Sequence, residues 1–377
     1  MNCIRKNEMR EKDMKILRPL FATAAIVLAL APTAVRACSC IMVSNSCGVS
    51  KAFDPGAVIF LGQVVSKVEV QEPATFGNRT AMVGRYAVHF IVAEDFHGAP
   101  ALGQEIVVNT GRGGGDCGYP FVVGTTYLVY ASTSGSQLTT DICSGTKPEV
   151  MVGGLLRELR AIRDGARVDD LFGTIGIGPN GAGYDDLAET RPLPDVSVRI
   201  VWGAGTAFSV RTDEHGAYAF SSLPRGTYRI EPDLPAGLST WQSKAGKPLA
   251  IDIDDKDGTG AGCQVDIFSR PDGQISGTVL DATGKGVAGF ITIQPADPKE
   301  AQIARGRGGL PGCDTEDGNF SLPQLPPGRY RLEFHPKVGE RIDFRRVFYW
   351  PPGGRGSDNA IELAFGQHIE KVRFEIP

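Results

Sequence analysis

Ala37-Cys38-Ser39-Cys40 is the stretch around which this chain of 377 residues is organised. It follows an apolar run, residues 20–31 (LFATAAIVLALA), and Ala37 fits the last position of a secretory leader. Cleavage after Ala37 would leave Cys38 as the first residue of the exported protein, with a free α-amine. Such an amine has a pKa of about 7.7–8.0, so part of it is neutral near pH 7. A neutral amine can chelate a zinc ion together with the carbonyl oxygen of its own residue.

The leader limits the compartment in which the protein works. We expect residues 1–37 to be removed, and Met14 is a second candidate start because the region before it is unusually long. The apolar run is too short and wrongly flanked for a membrane anchor, and no later stretch is apolar enough to span a bilayer. The mature protein is therefore expected to be secreted, periplasmic or at the cell surface. Val35-Arg36-Ala37-Cys38 also resembles a lipoprotein cleavage site, but Arg36 fits that alternative badly, and acylation would abolish chelation.

Length, charge and cysteine content exclude some function classes. The 340 residues after the leader suffice for two or three domains. They carry 32 basic and 40 acidic residues, which argues against nucleic acid as a partner. Seven cysteines remain in the exported chain, and they predict disulfides. Because their number is odd, at least one cysteine is unpaired or bonded to another chain. No Ser-His-Asp, Cys-His or paired-carboxylate arrangement indicates catalysis, so we expect a non-enzymatic protein without a cofactor or a metal ion of its own.

The pattern of residues 38–165 predicts a small β-barrel. Apolar or alternating segments that predict strands are residues 57–64, 86–92, 106–108, 127–130 and 137–141. A helix is predicted after Pro148, with apolar side chains at positions 155, 156, 159 and 162 on one face, and Gly165 ends it. Five short strands and a terminal helix favour a barrel of the oligonucleotide-binding (OB) type.

The cysteines of this domain resemble those of a known family. Cys38-Ser39-Cys40, Cys117-Gly118-Tyr119 and Cys143-Ser144 look like the N-terminal, netrin-type domain of the tissue inhibitors of metalloproteinases. The resemblance implies the disulfides Cys38–Cys117 and Cys40–Cys143. Each would close a loop of roughly a hundred residues and stabilise the fold by about 4–5 kcal/mol in the chain-entropy model. Both would also hold the amino terminus against the barrel before any partner binds.

The same resemblance implies a binding mode. The amine and carbonyl of Cys38 would chelate the zinc ion of an extracellular metalloproteinase, and Ser39 would enter the specificity pocket of that enzyme. Cys40, Gly115 and Asp116 would add contacts to the protease.

This chain departs from the family in two places. Residues 144–262 contain no cysteine, so Cys47 lacks the family's partner after the helix, and the glycine-rich residues 111–115 replace the family's contact loop. The alternative is a barrel whose terminus is only structural, in a cell-surface or matrix protein that binds polysaccharide or protein.

The rest of the chain contains an internal repeat. Residues 212–230 (TDEHGAYAFSSLPRGTYRI) resemble residues 315–332 (TEDGNFSLPQLPPGRYRL), and each copy has an acidic, glycine-containing turn typical of a hairpin. The pattern is similar to the carboxypeptidase-regulatory-like, or collagen-adhesin B-type, β-sandwich. It predicts one sandwich over residues 170–270 and another over residues 274–377, and we expect them to fold without the barrel. Cys263 and Cys313 are a candidate disulfide, and the absence of a lysine in either first strand predicts no isopeptide bond.

The predicted fold class is thus mainly β. A disulfide-locked five-stranded OB-type barrel with a C-terminal helix precedes two sandwiches of the immunoglobulin-like or prealbumin-like kind.

Overall fold

The structure, a computed structural model, confirms that the protein is mainly β. It describes residues 45–48, 56–76, 79–113, 116–135, 137–178, 184–203, 205–240, 249–253, 262–297, 312–351 and 360–376. Within these ranges most regular structure is strand, and one α-helix, α1, spans Gly153–Arg163. The strands form a barrel and two sandwiches, which is the predicted fold class.

Five strands close the barrel. After a first short strand, β1 (Asn45–Cys47), which lies outside the barrel, these are β2 (Ala57–Phe76), β3 (Arg79–His97), β4 (Glu105–Thr110), β5 (Thr126–Ser134) and β6 (Gln137–Thr139). The order is β2-β3-β4-β6-β5, and pairing of β5 with β2 completes the ring, as in an OB-type barrel. A two-residue strand, β7 (Lys147–Pro148), adds to β5 before α1 begins.

The β2–β3 hairpin is much longer than the barrel needs. β2 pairs with β5 only over residues 57–63, and β3 pairs with β4 only over residues 86–91. Beyond these residues β2 and β3 pair only with each other. This pairing continues as far as Phe76, which lies opposite Arg79. The hairpin therefore extends as a two-stranded ribbon, which we define as residues 66–76 and 79–85.

The first sandwich packs a seven-stranded sheet against a four-stranded sheet. The larger sheet combines β1 with β8 (Leu171–Ile177), β9 (Arg191–Pro192), β12 (Ala217–Phe220), β14 (Leu238–Thr240), β16 (Cys263–Val265) and β17 (Ile267–Pro271). The smaller sheet has the order β11-β10-β13-β15, from β10 (Ser197–Trp202), β11 (Thr206–Arg211), β13 (Gly226–Asp233) and β15 (Leu249–Ile253). Buried side chains such as Ile175, Val265, Ile200 and Tyr228 fill the space between them.

The second sandwich repeats this plan with different strand numbers. One sheet has the order β21-β18-β26, from β18 (Gly273–Leu280), β21 (Asn319–Leu325) and β26 (His368–Glu375). The other contains β19 (Gly289–Pro295), β20 (Gly312–Thr315), β22 (Gly328–Val338), β23 (Arg341–Ile342), β24 (Phe348–Trp350) and β25 (Ile361–Leu363). Gly237 of the first sandwich lies directly against Phe365 of the second, so the two sandwiches are in contact.

The internal repeat has the same physical basis in both copies. The phenol of Tyr228 donates to the carbonyl oxygen of Pro224 at 2.5 Å, and that of Tyr330 donates to Pro326 at 2.7 Å. Both aromatic rings are buried in the core of their sandwich. The Pro-x-Gly-x-Tyr pattern therefore recurs because the tyrosine both fills the core and ties the turn before its own strand.

Helix α1 joins the barrel to the first sandwich through a shared apolar core. Leu155 and Leu159 of the helix pack in one cluster with Leu128 of the barrel and with Phe172 and Phe268 of the sandwich. The approach of helix and sandwich is close enough to require glycine. A Cβ atom at position 154 would lie 2.3 Å from the carbonyl oxygen of Gly173.

Polar groups reinforce this junction. The ammonium group of Lys147 in the barrel lies 3.4 Å from the carboxylate of Asp266 in the sandwich, and Asp266 is almost fully buried. Asp266 also accepts hydrogen bonds from the Thr174 amide and the Gln264 side chain. Burial raises the pKa of Asp266 above its ordinary value, and the Lys147 ammonium is the largest of the contacts that oppose this rise.

A disulfide between Cys47 and Cys263 adds a covalent link to the junction. It supplies the partner of Cys47 that the sequence left open, and it shows that the predicted pairing of Cys263 with Cys313 is wrong. Cys313 is instead a buried thiol in the core of the second sandwich, where its Sγ donates to the Ser321 carbonyl at 3.8 Å.

Candidate functional site

Three of the predicted site residues line one polar cleft on the barrel. The cleft has a volume of about 710 Å³ and is lined by Asp116, Cys117 and Cys143, among other residues. Both cysteines are disulfide-bonded. The amide of Ile142 donates to the Cys117 carbonyl at 3.0 Å, so the two half-cystines come from neighbouring, hydrogen-bonded segments.

One wall of the cleft is a loop around Asp116. The Asp116 carboxylate accepts hydrogen bonds from the backbone amides of Arg112 at 2.7 Å, Gly113 at 2.8 Å and Gly118 at 3.2 Å. Partial burial would raise the pKa of Asp116, but these three amide donors outweigh it and leave the pKa below its ordinary value. Asp116 is therefore a structural anion that shapes the loop.

The Cys-Gly-Tyr motif continues this loop into the core. A Cβ atom at position 118 would lie 2.1 Å from the backbone of Gly111, so only glycine fits between the two arms of the loop. The Tyr119 side chain is buried in the core, where its ring centroid lies 4.6 Å from that of Phe121 and 5.8 Å from that of Tyr127. The motif thus places Cys117 at the cleft and anchors it immediately with a buried aromatic residue.

Beside this loop, a hydroxyl-rich turn around Cys143 also lines the cleft. The Asp141 carboxylate accepts from the Cys143 amide at 2.8 Å, and the hydroxyl of Thr140 donates to the Tyr130 carbonyl at 2.7 Å. The hydroxyls of Ser144 and Thr146 complete a network with Thr140, at 2.8 and 3.0 Å. This network fixes the turn without any charge of its own.

The ribbon contributes charged groups to the same cleft. Arg85 and Glu72 line it and form an ion pair at 3.5 Å, and the Asn109 side chain donates to Glu72 at 3.2 Å. Arg112 reaches Glu69 of the ribbon at 3.5 Å. The ribbon, the Asp116 loop and the Cys143 turn therefore form one connected rim of mixed charge.

Part of the predicted site lies outside the described residues. Cys38, Ser39, Cys40 and Gly115 belong to this part, as does the cleavage point after Ala37. The proposed pairings of Cys38 with Cys117 and of Cys40 with Cys143 therefore stay predictions, as does the zinc-chelating role of Cys38.

Sequence reasoning missed the ribbon side of the cleft. Glu72 and Arg85 were not predicted. They lie on adjacent strands, far from the cysteines in sequence, and no local sequence pattern indicates that they are close to Cys117. Asp141 carried a usable signal, since an aspartate two residues before a cysteine is typical of a capped turn.

The site has the character of a binding surface. Its polar groups are hydroxyls, backbone-anchored carboxylates and an arginine, which can donate and accept hydrogen bonds at the rim of a partner. Within the described ranges, no group of three or more His, Cys, Asp or Glu side chains is arranged to hold a metal ion. The same ranges contain no helix that is both long and apolar enough to cross a membrane.

Comparison with known sequences finds a family match within the first sandwich. Residues 178–276 match the sequence family described as SdrD B-like domain. This match supports the collagen-adhesin B-type resemblance of the repeats and gives no support to the carboxypeptidase-regulatory-like one. It covers neither the barrel nor most of the second sandwich.

Individual relatives are staphylococcal proteins. The chain is 28% identical over 145 residues to serine-aspartate repeat-containing protein C of Staphylococcus aureus strain N315, a match that covers 34% of this chain and 14% of the relative. It is 26% identical over 166 residues to the bone sialoprotein-binding protein of Staphylococcus aureus strain MRSA252, covering 40% of this chain and 14% of that relative. The matches thus span about one seventh of each relative.

Among solved structures, the Bacillus anthracis TIE protein aligns at 16% identity with a TM-score of 0.22, covering 85% of this chain and 50% of that one. BcpA, the major pilin subunit of Bacillus cereus, aligns at 12% identity with a TM-score of 0.20. This alignment covers 85% of this chain and 94% of BcpA.

Proposed function

We propose that this protein is an exported, surface-associated binding protein of the adhesive kind. The barrel carries the contact surface at its polar cleft, and the two sandwiches support the barrel and set its distance from whatever the chain is attached to. The partner is an extracellular macromolecule, a matrix protein or a polysaccharide.

The observation that carries this proposal is the match of residues 178–276 to the SdrD B-like family. Relatives of this chain include the bone sialoprotein-binding protein and a fibrinogen-binding protein of Staphylococcus epidermidis, which is 40% identical over 63 residues, 16% of this chain and 6% of that relative. Those names describe the relatives, and we extend only the general role, attachment to an extracellular partner, to this chain.

The junction supports the proposal physically. A binding surface gains affinity when its mount is rigid before the partner arrives, because less conformational entropy is lost on binding. Here the barrel is held to the first sandwich by the Cys47–Cys263 disulfide, the Lys147–Asp266 pair and the core around α1. The cleft therefore belongs to a braced unit that includes the first sandwich.

The proposal is tested by retention of beads that carry the exported protein. Surfaces are coated with fibrinogen, bone sialoprotein or an uncharged polysaccharide, and albumin serves as the reference surface. We expect retention on at least one matrix surface well above that on albumin. Retention no greater than on albumin across all of these surfaces would count against the adhesive role.

Metalloproteinase inhibition is a second candidate function, favoured by one specific observation. Cys117 and Cys143 both form disulfides and come from hydrogen-bonded segments of a closed OB-type barrel. If their partners are Cys38 and Cys40, the mature amino terminus lies at the cleft, and the Cys38 amine and carbonyl can chelate the zinc ion of a target protease. Ser39 would then determine which proteases are bound, because its side chain would enter their specificity pocket.

A further inference from the structure

An exposed turn of the second sandwich combines aromatic and cationic side chains. The turn follows β22 and includes β23, and we call residues 338–346 the arginine turn. Phe344 is 64% exposed, and Val338 is 58% exposed. Arg341, Arg345 and Arg346 are exposed as well.

The arginine turn is held in place by defined contacts. The Asp343 amide donates to the Pro336 carbonyl at 2.9 Å, and the Asp343 carboxylate accepts from the Arg345 amide at 3.0 Å. The Phe344 ring packs against His335, with centroids 5.1 Å apart, and His335 Nδ1 donates to the Arg346 carbonyl at 3.2 Å. Phe344 is therefore presented at the surface by a fixed scaffold.

The guanidinium groups of this turn differ from most others in the protein. Many arginines elsewhere in the described ranges are paired with carboxylates, as Arg160 and Arg163 are with Glu94. Within the described ranges, by contrast, no ion pair involves Arg341, Arg345 or Arg346.

The carboxylates near the turn offset part of this positive charge. The Asp343 carboxylate accepts a hydrogen bond from a backbone amide and keeps its negative charge, and Glu316 pairs with Lys337 at 2.9 Å. Glu340 is exposed within the turn itself and offsets part of the positive charge. The three arginines of this turn outnumber its two carboxylates, and the Arg346 guanidinium also lies 5.7 Å from the centroid of the Phe348 ring. In a chain with a net charge of −4, the turn therefore offers guanidinium groups to an external anion.

We propose that the arginine turn binds an acidic polysaccharide, a chain of sugar rings that bear carboxylates. Guanidinium groups match carboxylates in charge and planar geometry. The exposed Phe344 ring offers a flat apolar face with a negative quadrupole, which suits the slightly positive C–H bonds on one face of a pyranose ring. An acidic peptide would use the arginines but has no comparable use for the ring. The inference adds a partner class to the proposed function and is independent of the barrel cleft.

The test measures binding of the full exported protein to polygalacturonate, with dextran as the uncharged sugar polymer and polyglutamate as the acidic peptide. Replacing Arg341, Arg345 and Arg346 together by Gln should weaken binding to polygalacturonate at least about tenfold. Arg191→Gln, which removes an exposed arginine of the first sandwich, should change it less than about twofold. Added salt should weaken the wild-type interaction.

The role of the ring is tested by Phe344→Ala, with Phe344→Leu as a second variant that keeps apolar contact with His335 and Phe290. Both should weaken binding to polygalacturonate, and the wild type should bind polyglutamate more weakly than polygalacturonate. No wild-type binding to polygalacturonate, or equal binding by the wild type and the triple variant, would overturn the proposal. Equal binding of polyglutamate with no effect of either Phe344 variant would assign the turn to acidic peptides instead.

Discussion

Cys47 and Cys263 form a disulfide although 216 residues separate them in the chain. The bond lies where β1, a strand from before the barrel, pairs with β16 of the first sandwich, with Cys47 opposite Cys263. The segment that leads from the predicted mature terminus into the barrel is thereby tied to the sandwich. The barrel is thus braced by a domain that follows it in sequence.

Peptide mapping without reduction should recover this link. We expect a Cys47–Cys263 peptide pair, Cys117 and Cys143 each in a disulfide, and Cys313 alkylated only after unfolding, because its thiol is buried. The predicted partners of Cys117 and Cys143 are Cys38 and Cys40. A Cys263–Cys313 peptide would contradict the structure, and other partners for Cys117 and Cys143 would remove the basis for the inhibitor resemblance.

Lys147→Met should destabilise the junction in a pH-dependent way. It leaves the buried Asp266 carboxylate without its cation, which should lower the free energy of unfolding by about 3–5 kcal/mol near neutral pH. Burial already raises the folded-state pKa of Asp266. The contribution of this group to stability therefore falls as the pH rises from its unfolded-state pKa through its folded-state pKa. Loss of Lys147 raises that pKa further, so the destabilisation should shrink towards about pH 4.

Urea unfolding of the Lys147 variant at several pH values checks this prediction. Lys337→Met is the matched control, because it removes a lysine from a pair with the largely exposed Glu316 and should cost about 0–1 kcal/mol. Equal, pH-independent losses in both variants would show that the buried pair has no special role.

Gly154→Ala should separate helix α1 from the first sandwich. The added Cβ atom would lie 2.3 Å from the Gly173 carbonyl oxygen, so we expect a loss of about 1–3 kcal/mol although alanine favours helix. Gly178→Ala is the control, since the nearest atom to its Cβ lies 3.6 Å away. Thermal unfolding of both variants measures the difference, and a stabilised Gly154 variant would mean that helix and sandwich are not in close contact.

The chelation mechanism makes its own prediction. One alanine added before Cys38 should leave the barrel folded, because it lies outside both predicted disulfide loops. It should nevertheless abolish inhibition of a zinc protease, since the terminal amine moves away and an amide nitrogen, a poor ligand, replaces it. Equal inhibition by both forms in a protease assay would rule out chelation. No inhibition by the mature protein across a panel of zinc proteases would leave the adhesive function alone.

Local patterns were sufficient to predict the barrel strands, the helix and the two repeated sandwiches. Alternation in residues 57–64 and 86–92 marks strands, and the repeat around Tyr228 and Tyr330 marks two sandwiches, because in each case neighbouring residues carry the signal. The clustering of Cys117 and Cys143 followed from a family resemblance. The extension of β2 and β3 into a ribbon was missed, although Val68 and Val70 alternate with the polar residues Lys67, Glu69 and Gln71 as in a strand.

The junction could not be predicted in the same way. Pairing of Cys47 with Cys263 and of Lys147 with Asp266 joins residues that only the tertiary fold brings together, and no local pattern encodes it. The apolar faces of Phe172 and Phe268 look like ordinary core positions, although they pack against α1. We therefore now expect a chain that begins near Ala166 to be less stable than the same sandwiches in the full protein, because it would expose these two rings.

The proposal that the cleft is the contact surface is tested most directly by two substitutions to arginine on the same strand. Ser134 lines the cleft and Thr133 beside it does not, and both are exposed near the end of β5. On the matrix surface that retains the wild-type protein, Ser134→Arg should weaken binding at least about tenfold by filling the cleft, whereas Thr133→Arg should change it less than about twofold. Neither should alter binding of polygalacturonate through the arginine turn. Equal binding of the matrix surface by the wild type and both variants would show that the cleft is not the contact surface.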